Sequence, residues 1–525
     1  MKKLNFLSVS FVLLIILLSG CAGNQKEIIK YREMVQKKDY KSALEMMKGD
    51  SIYKDEESHL LKYVELGTLH LQGGEYYQAL LNFDKARELS DKLFTVSVSK
   101  KIAGTIGNES SDNYYGERFE RSLIRYYTIL AHYNLYDKGE YEAYVDEVRD
   151  NKGKIISTKP IAPVILDEAK KRFHLIAAKS ILLEWNSILE DFKKTTAGEV
   201  TYKDDLLAKL VGAVLHLKAD TSTDRQIAFN LLKESKNTVL KYYNSYQSFN
   251  SKYKDFNKDY SKLPGMKTEL MLSTYVAATP LNTLVNTYAD DLVKTWNKSE
   301  KEKDNVFLVW HEGMIASKEI KKYEFPIGLT AATVSVGTVN DFVGFAQQAL
   351  VVVDTVVPKI SFELPTIPYR PNSEELTFVV KKEGKIVSEK SGVLVDPLSE
   401  MAFYTLDSKA TSNLAIKGAR VAAKHITALL ASYATYRALK EKMGDGIALL
   451  SGIAGYNIAA RGIQESEKAD LRSWLTLPNQ VRMNSFKLSP GDYEFYSLNP
   501  ATKIEVLVGK FSVNDKEKIL LKTFF

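Results

Sequence analysis

The side chains able to do acid–base, nucleophilic or metal chemistry are scattered along this 525-residue chain. Its seven histidines stand at positions 59, 70, 132, 174, 216, 311 and 425. None lies in a His-x-Glu or His-Glu-x-x-His arrangement, so zinc hydrolysis has no ligand set. His311 and Glu312 are adjacent rather than four apart, which reads as a surface or structural pair. There is no Gly-x-Ser-x-Gly elbow and no phosphate-cradling glycine loop. Ser97-Val98-Ser99-Lys100 has a Ser-x-x-Lys spacing but lacks partner motifs. Carboxylates are many, and spacing alone sets no two of them across a cleft. The expectation is a protein that is not an enzyme and holds no cofactor or metal.

One reactive group remains, the thiol of Cys21, the chain's single cysteine. It excludes an internal disulfide and a multi-cysteine metal site. Met1-Lys2-Lys3 is positive, and an apolar run from Leu4 to Leu18 leads to Leu18-Ser19-Gly20-Cys21. That order describes a secretory signal, too short to span a bilayer. Leu-Ser-Gly-Cys resembles the bacterial lipobox. The resemblance implies cleavage before Cys21, lipid on its thiol and a membrane as first partner, held by several acyl chains. Ala22 in place of Asp implies, by analogy with enteric sorting, the periplasmic face of an outer membrane. Residues 1–20 are then the signal and 21–30 a lipidated tether.

The elements that position the rest follow from length and pattern. A chain this long exceeds one hydrophobic core, so residues 31–300 and 301–525 are read as separate domains. Formal charge is +7, leaving +5 once Lys2 and Lys3 depart, an excess too small over so long a chain to argue for nucleic acid, where a clustered basic face is expected. Tyr63, Leu66, Gly67 and His70, then Ala79, Phe83 and Ala86, have the spacing of a tetratricopeptide unit. Gly67 and Ala79 let two helices approach, and Gly73-Gly74 stops the first. An isolated helical hairpin is the plainer alternative. Tyr40, Ala43 and Met47 repeat the pattern upstream. Ala131, Leu135, Gly139 and Tyr141 suggest a helix pair ending near Asp150. Pro163 to Phe192 reads as one helix, Leu206 to Leu217 and Ile227 to Leu240 as a hairpin, and Leu270 to Trp296 as further helix. Such pairs bury their faces by stacking into a solenoid. Phe249 to Lys262 reads as a surface connection, and Ala349 to Val357 as buried core rather than membrane span.

Beyond residue 300 the pattern changes to short strands, at 306–310, 361–365, 375–380 and 385–387. Long helices follow at 407–443 and 447–469, then strands to residue 513. The fold class expected is α+β, an N-terminal tetratricopeptide-like α-solenoid followed by helices and a small antiparallel sheet. Tyr115, Glu117, Arg118 and Arg121 offer two readings. They form an interaction edge, or an ion-paired helix start with Glu117 and Arg121 at i, i+4. Arg472 and Trp474 are expected to dock the helical part onto the terminal sheet.

The stretches Asn113-Tyr-Tyr-Gly-Glu-Arg-Phe-Glu-Arg121 and Ala469-Asp-Leu-Arg-Ser-Trp-Leu-Thr-Leu-Pro478 resemble two signatures of a family of uncharacterised bacterial tetratricopeptide-repeat lipoproteins. The helix around Arg420 and Lys424 fits the same family. Its members are similar to envelope proteins found beside small lipoproteins akin to penicillin-binding-protein activators and secretion assembly factors. The resemblance implies an envelope adaptor with a protein partner. The rival expectation is a peptidoglycan-binding factor or envelope enzyme with its site in the C-terminal half. A third is a surface adhesin.

Overall fold

A computed structural model describes residues 23–49, 51–102, 112–149, 155–194, 202–243, 246–249, 304–326, 359–369, 375–515 and 518–525. Cys21, and the segments 250–262, 270–296 and 349–357 read above, lie outside them. The protein mixes helix and sheet as an α+β chain.

Eight helices come first: α1 (Gly23–Gln36), α2 (Tyr40–Lys48), α3 (His59–Gln72), α4 (Tyr76–Ile102), α5 (Arg118–Lys138), α6 (Glu168–Lys193), α7 (Leu206–Ala219) and α8 (Ser222–Lys241). Each packs on its sequence neighbours. The boundaries have local causes. Asp39, Asp167 and Asp205 accept from the backbone N–H three residues on, capping α2, α6 and α7. Gly139, at φ 70°, ends α5 in the left-handed region where glycine carries no Cβ penalty.

Two readings of the sequence need correction here. The stretch 23–30, read as a tether, is the start of α1, and Ile28 packs against the core. The helix pair expected to end near Asp150 is one helix followed by strands: β1 (Glu140–Tyr141), β2 (Tyr144–Arg149), β3 (Ile155–Ile161) and β4 (Val164–Ile165). Once Gly139 stops α5, the β-branched Val145 and Val148 favour extended backbone. β2 and β3 form an antiparallel ribbon, and β1 pairs with β4.

The second half holds β5 (Val306–Glu312), β6 (Glu319–Pro326), β7 (Lys359–Thr366), β8 (Thr377–Lys382), β9 (Lys385–Ser391) and β10 (Val393–Asp396). Then come α9 (Leu398–Met443), α10 (Asp445–Ser466), β11 (Gln480–Phe486), β12 (Gly491–Leu498), β13 (Glu505–Val513) and β14 (Leu520–Phe524). Glu383 and Gly384, both at positive φ, make the tight turn between β8 and β9. The sheet is not a small antiparallel one. Two four-stranded sheets, β10-β11-β5-β14 and β13-β12-β8-β9, share a core of Val306, Leu308, Phe378, Val380, Phe486 and Phe495. β14 runs parallel to β5.

The largest core draws on both halves. Leu61, Phe83, Tyr127, Trp185 and Leu210 of the helices join Phe307, Val395, Met401, Trp474, Val481 and Leu521 in one cluster. Positions on either side of residue 300 therefore bury a common apolar surface.

Candidate functional site

The repeat-type residues build a seat. Gly67, on α3, faces the ring of Phe83, on α4. A Cβ placed on Gly67 would lie 2.7 Å from that ring, so no larger residue fits without displacement. Ala79 and Ala86 are fully buried, and Tyr63 and Leu66 pack at the core's margin. His70 is buried and its Nδ1 meets the Glu75 carboxylate, fastening the α3–α4 turn. The Phe83 ring stacks on Tyr127 of α5 at 5.6 Å between centroids.

Into this seat goes Trp474. Its ring lies 5.3 Å from Tyr127 and 6.5 Å from Phe83. Its indole N–H reaches Thr476 Oγ1 at 3.0 Å and Thr68 Oγ1 at 3.2 Å. Trp474 belongs to the connection between α10 and β11, which runs through the helical array without helix or strand of its own up to Pro478. Such a segment must find partners for its backbone groups elsewhere. The helical half supplies them. Leu475 N–H donates to Glu65, and Trp474 N–H to Glu120 at 3.3 Å. Tyr53 donates to the Ser473 carbonyl at 2.6 Å. Arg32 donates to the carbonyls of Leu475 and Ile315 at 3.2 and 2.6 Å.

Arg472 closes the entrance. It pairs with Asp470 at 2.8 Å, donates to the Asp112 and Glu57 carbonyls at 2.9 and 3.3 Å, and lies over the Tyr114 ring. The two signature stretches, 113–121 and 469–478, thus meet face to face. Arg472 and Trp474 dock on the helical array just before β11 begins.

The acids of this clasp are wholly buried. Desolvation pushes the Glu65 carboxyl up to about 7, although hydrogen bonds from Thr476, Tyr31 and Leu475 favour its charged form. Burial also raises Glu120, opposed by the charge of Lys318 and a 2.6 Å bond from Tyr114. Glu120 belongs to the charged and aromatic stretch 113–121 noted in the sequence, but Glu65 did not stand out there. The legible signal was a carboxylate on the apolar face of a helix, with Leu61, Glu65 and Thr68 at i, i+4, i+7.

The edge residues are held by structural contacts. Glu117 is the N-cap of α5, in a capping box with Glu120, and binds Lys409 at 2.6 Å. Arg121 turns to Asp91 at 2.8 Å and covers the Phe94 ring. Arg118 lies over Phe192, and Tyr115 donates to Asp112 at 3.0 Å. The anticipated Glu117–Arg121 proximity survives in the backbone bond from Arg121 N–H to the Glu117 carbonyl, while both side chains engage other elements.

Three histidines are also structural. His311 is buried, not on the surface. Its Nδ1 donates to the Phe524 carbonyl at 3.0 Å, which leaves Nε2 to accept from Tyr126 at 2.9 Å. His132 and His174 meet at 2.9 Å, with Tyr141 on the far nitrogen of His174. Burial lowers His311 and His174 to about 4 and His132 to about 3, so all are neutral near pH 7. A second acidic cluster joins α7 to the root of α9. Tyr202 donates to Asp205, and Tyr243 to Asp396 at 2.6 Å. Desolvation raises Asp205 to about 6, and burial with repulsion from Asp205 raises Asp396. Among the described residues, no three His, Cys, Asp or Glu side chains form a metal-binding group.

No protein-family model matches the chain, and neither does a curated protein or a solved structure.

Proposed function

We propose that this protein is a scaffold of the bacterial cell envelope, tied to a membrane by lipid on Cys21, with a tetratricopeptide-like helical array that engages a protein partner. The lipobox-like Leu18-Ser19-Gly20-Cys21 supports the anchor. The sequential packing of α1 to α8 and the Gly67–Phe83 contact support the repeat reading. The groove where an array of this kind takes an extended segment is filled by the chain's own residues 469–478. The partner's place is therefore on an outer face.

The observation that carries the proposal is an apolar row on α6. Phe173, Ile176 and Leu183 are exposed on one side, while His174, Leu182 and Trp185 are buried on the other. Ile165 just before the helix, and Val145 and Ile156 on the β2–β3 ribbon, are exposed as well. Exposed apolar residues clustered in this way mark interaction sites.

Crosslinking in cells followed by mass spectrometry tests this reading. A reproducible envelope protein is expected with the native chain, lost with Cys21→Ala and lost with the pair Ile176→Asp, Leu183→Asp. Partners unchanged by the α6 pair would refute the assigned face. No protein partner, with the full chain retained on purified sacculi, would replace the scaffold reading with glycan binding.

A further inference from the structure

α9 runs antiparallel to β7. Tyr369, just past the strand, lies 4.7 Å from the Phe403 ring, while Phe362, nearer the strand's start, lies against Gly418 and Val421. Beyond Val421, α9 pairs with α10 as a two-helix arm. Arg420 and Lys424 bind Glu467 at 2.7 Å and fix its root. Its own core is small: Leu429 and Tyr433 of α9 against Ile453 and Tyr456 of α10. Beside that core an open groove of about 500 Å³ runs between the helices. Ala423, Thr427, Ala428 and Ala431 of α9 line it, with Ala459 and Ile463 of α10. The exposed row of Ile447, Leu450 and Ile458 is on another face of α10.

The β6–β7 ribbon ends beside this groove, with Pro326 and Lys359 as its last pair. Ile463 is common to both: it packs on the cluster of Phe362, Leu364 and Val421, and it lines the groove. Phe362 stands three positions from Lys359, about 10 Å at roughly 3.3 Å per residue. That is the rise of about seven residues of α9, which brings the ribbon's end level with the stretch from His425 to Ala428. Residues 327–358, outside the described residues, therefore leave and re-enter the fold at the groove. Only Asp341 and Asp354 carry charge among them, and most of the rest are Val, Ala, Leu, Ile and Phe.

We infer that residues 327–358 cover the alanine-lined groove of the arm within the same chain. So apolar a stretch gains by leaving water. Both of its ends are tied at one place, so it goes out and returns. Half of it, about 16 residues, reaches up to about 50 Å, and the arm from Val421 to Met443 extends about 33 Å. The small side chains of the groove leave room for branched and aromatic ones. The uncharged stretches 327–340 and 342–353 are each shorter than the about 20 residues of a membrane-spanning helix.

Photo-crosslinking tests this in the purified full chain. Ala431→benzoylphenylalanine, an exposed position in the groove, is expected to attach to a peptide from 327–358 at monomer mass. Leu450→benzoylphenylalanine, on the other face of the arm, is expected not to. A product of dimer mass, no attachment to 327–358 from position 431, or equal attachment from both positions would overturn the inference. In a second chain, a two-residue Asn-Gly turn replaces 327–358 and joins Pro326 to Lys359. Amide exchange at 423–431 and 459–463 should then quicken at least about tenfold, as helices stripped of packing do, and binding of an apolar dye should rise. Unchanged exchange, or a fall in dye binding, would mean that the segment stands in solvent. Retention of the full chain on phosphatidylglycerol vesicles, lost on shortening, would assign the segment to a membrane and overturn the inference.

Discussion

The clasp around residues 469–478 and the arm beyond Val421 treat apolar surface in opposite ways. In the clasp, Trp474 and Leu475 are buried by the helical array, and the backbone of an irregular segment is satisfied by Glu65, Glu120, Tyr53 and Arg32. In the arm, the helices satisfy their own backbones, and side chains such as Leu450 and Ile458 remain in solvent. An irregular segment can enter a core only when side chains take over its hydrogen bonds. A regular helix has no such need and can leave one face open. Polar atoms are concentrated where the chain closes on itself, and apolar ones are exposed where it reaches outward.

The largest effect that would break this contrast is Trp474→Ala. Removing a fully buried indole from between Phe83 and Tyr127 should cost about 3–5 kcal/mol in urea unfolding. A loss below about 1 kcal/mol would mean the segment is not integral to the core.

Next comes pH. Glu65 is raised in the folded state above its unfolded value, so the folded protein holds this proton more tightly. Its stabilising contribution is complete below the unfolded value and is lost as pH rises through about 7. The span is worth about 3 kcal/mol at 1.36 kcal/mol per unit. The histidines work in the opposite sense, since buried neutral His311 and His174 lose stability as pH falls from 6.5 through about 4. Comparing unfolding of Glu65→Gln with the native chain between pH 4.5 and 7.5 isolates the carboxyl. The variant should lose less stability over this range than the native chain, since Glu120, Asp205 and Asp396 are raised as well, and parallel curves would remove Glu65 as a source.

Gly67→Val should cost about 1–3 kcal/mol by driving Cβ into Phe83. Adding Phe83→Leu should recover part of it, and additive losses would show that the two sites are not in contact. The smallest effect belongs to the arm: Leu450→Ser should change monomer stability by less than about 0.5 kcal/mol. A larger loss would mean that the row is covered within the monomer.

Much of this was legible because it is local. The Gly67–Phe83 spacing, the Glu383-Gly384 turn and the helix of α9 follow from residues a few positions apart. The clasp was not. Nothing near Glu65 announces that its partner is Leu475, 410 positions away. Trp474 and Arg472 drew notice as anchors and Glu120 as part of a charged stretch, but Glu65, which receives the Leu475 N–H, did not. The Ala131–Tyr141 pattern misled because apolar helical spacing runs on past Gly139, where backbone conformation, not side-chain pattern, changes the structure.

The same separation orders events during synthesis. The helical array emerges hundreds of residues before the segment that completes its core. Until residues 469–478 arrive, the seat formed by Gly67, Phe83 and Tyr127 stays open and the buried carboxyls of Glu65 and Glu120 stay hydrated. Contacts of such high sequence separation form late and slowly.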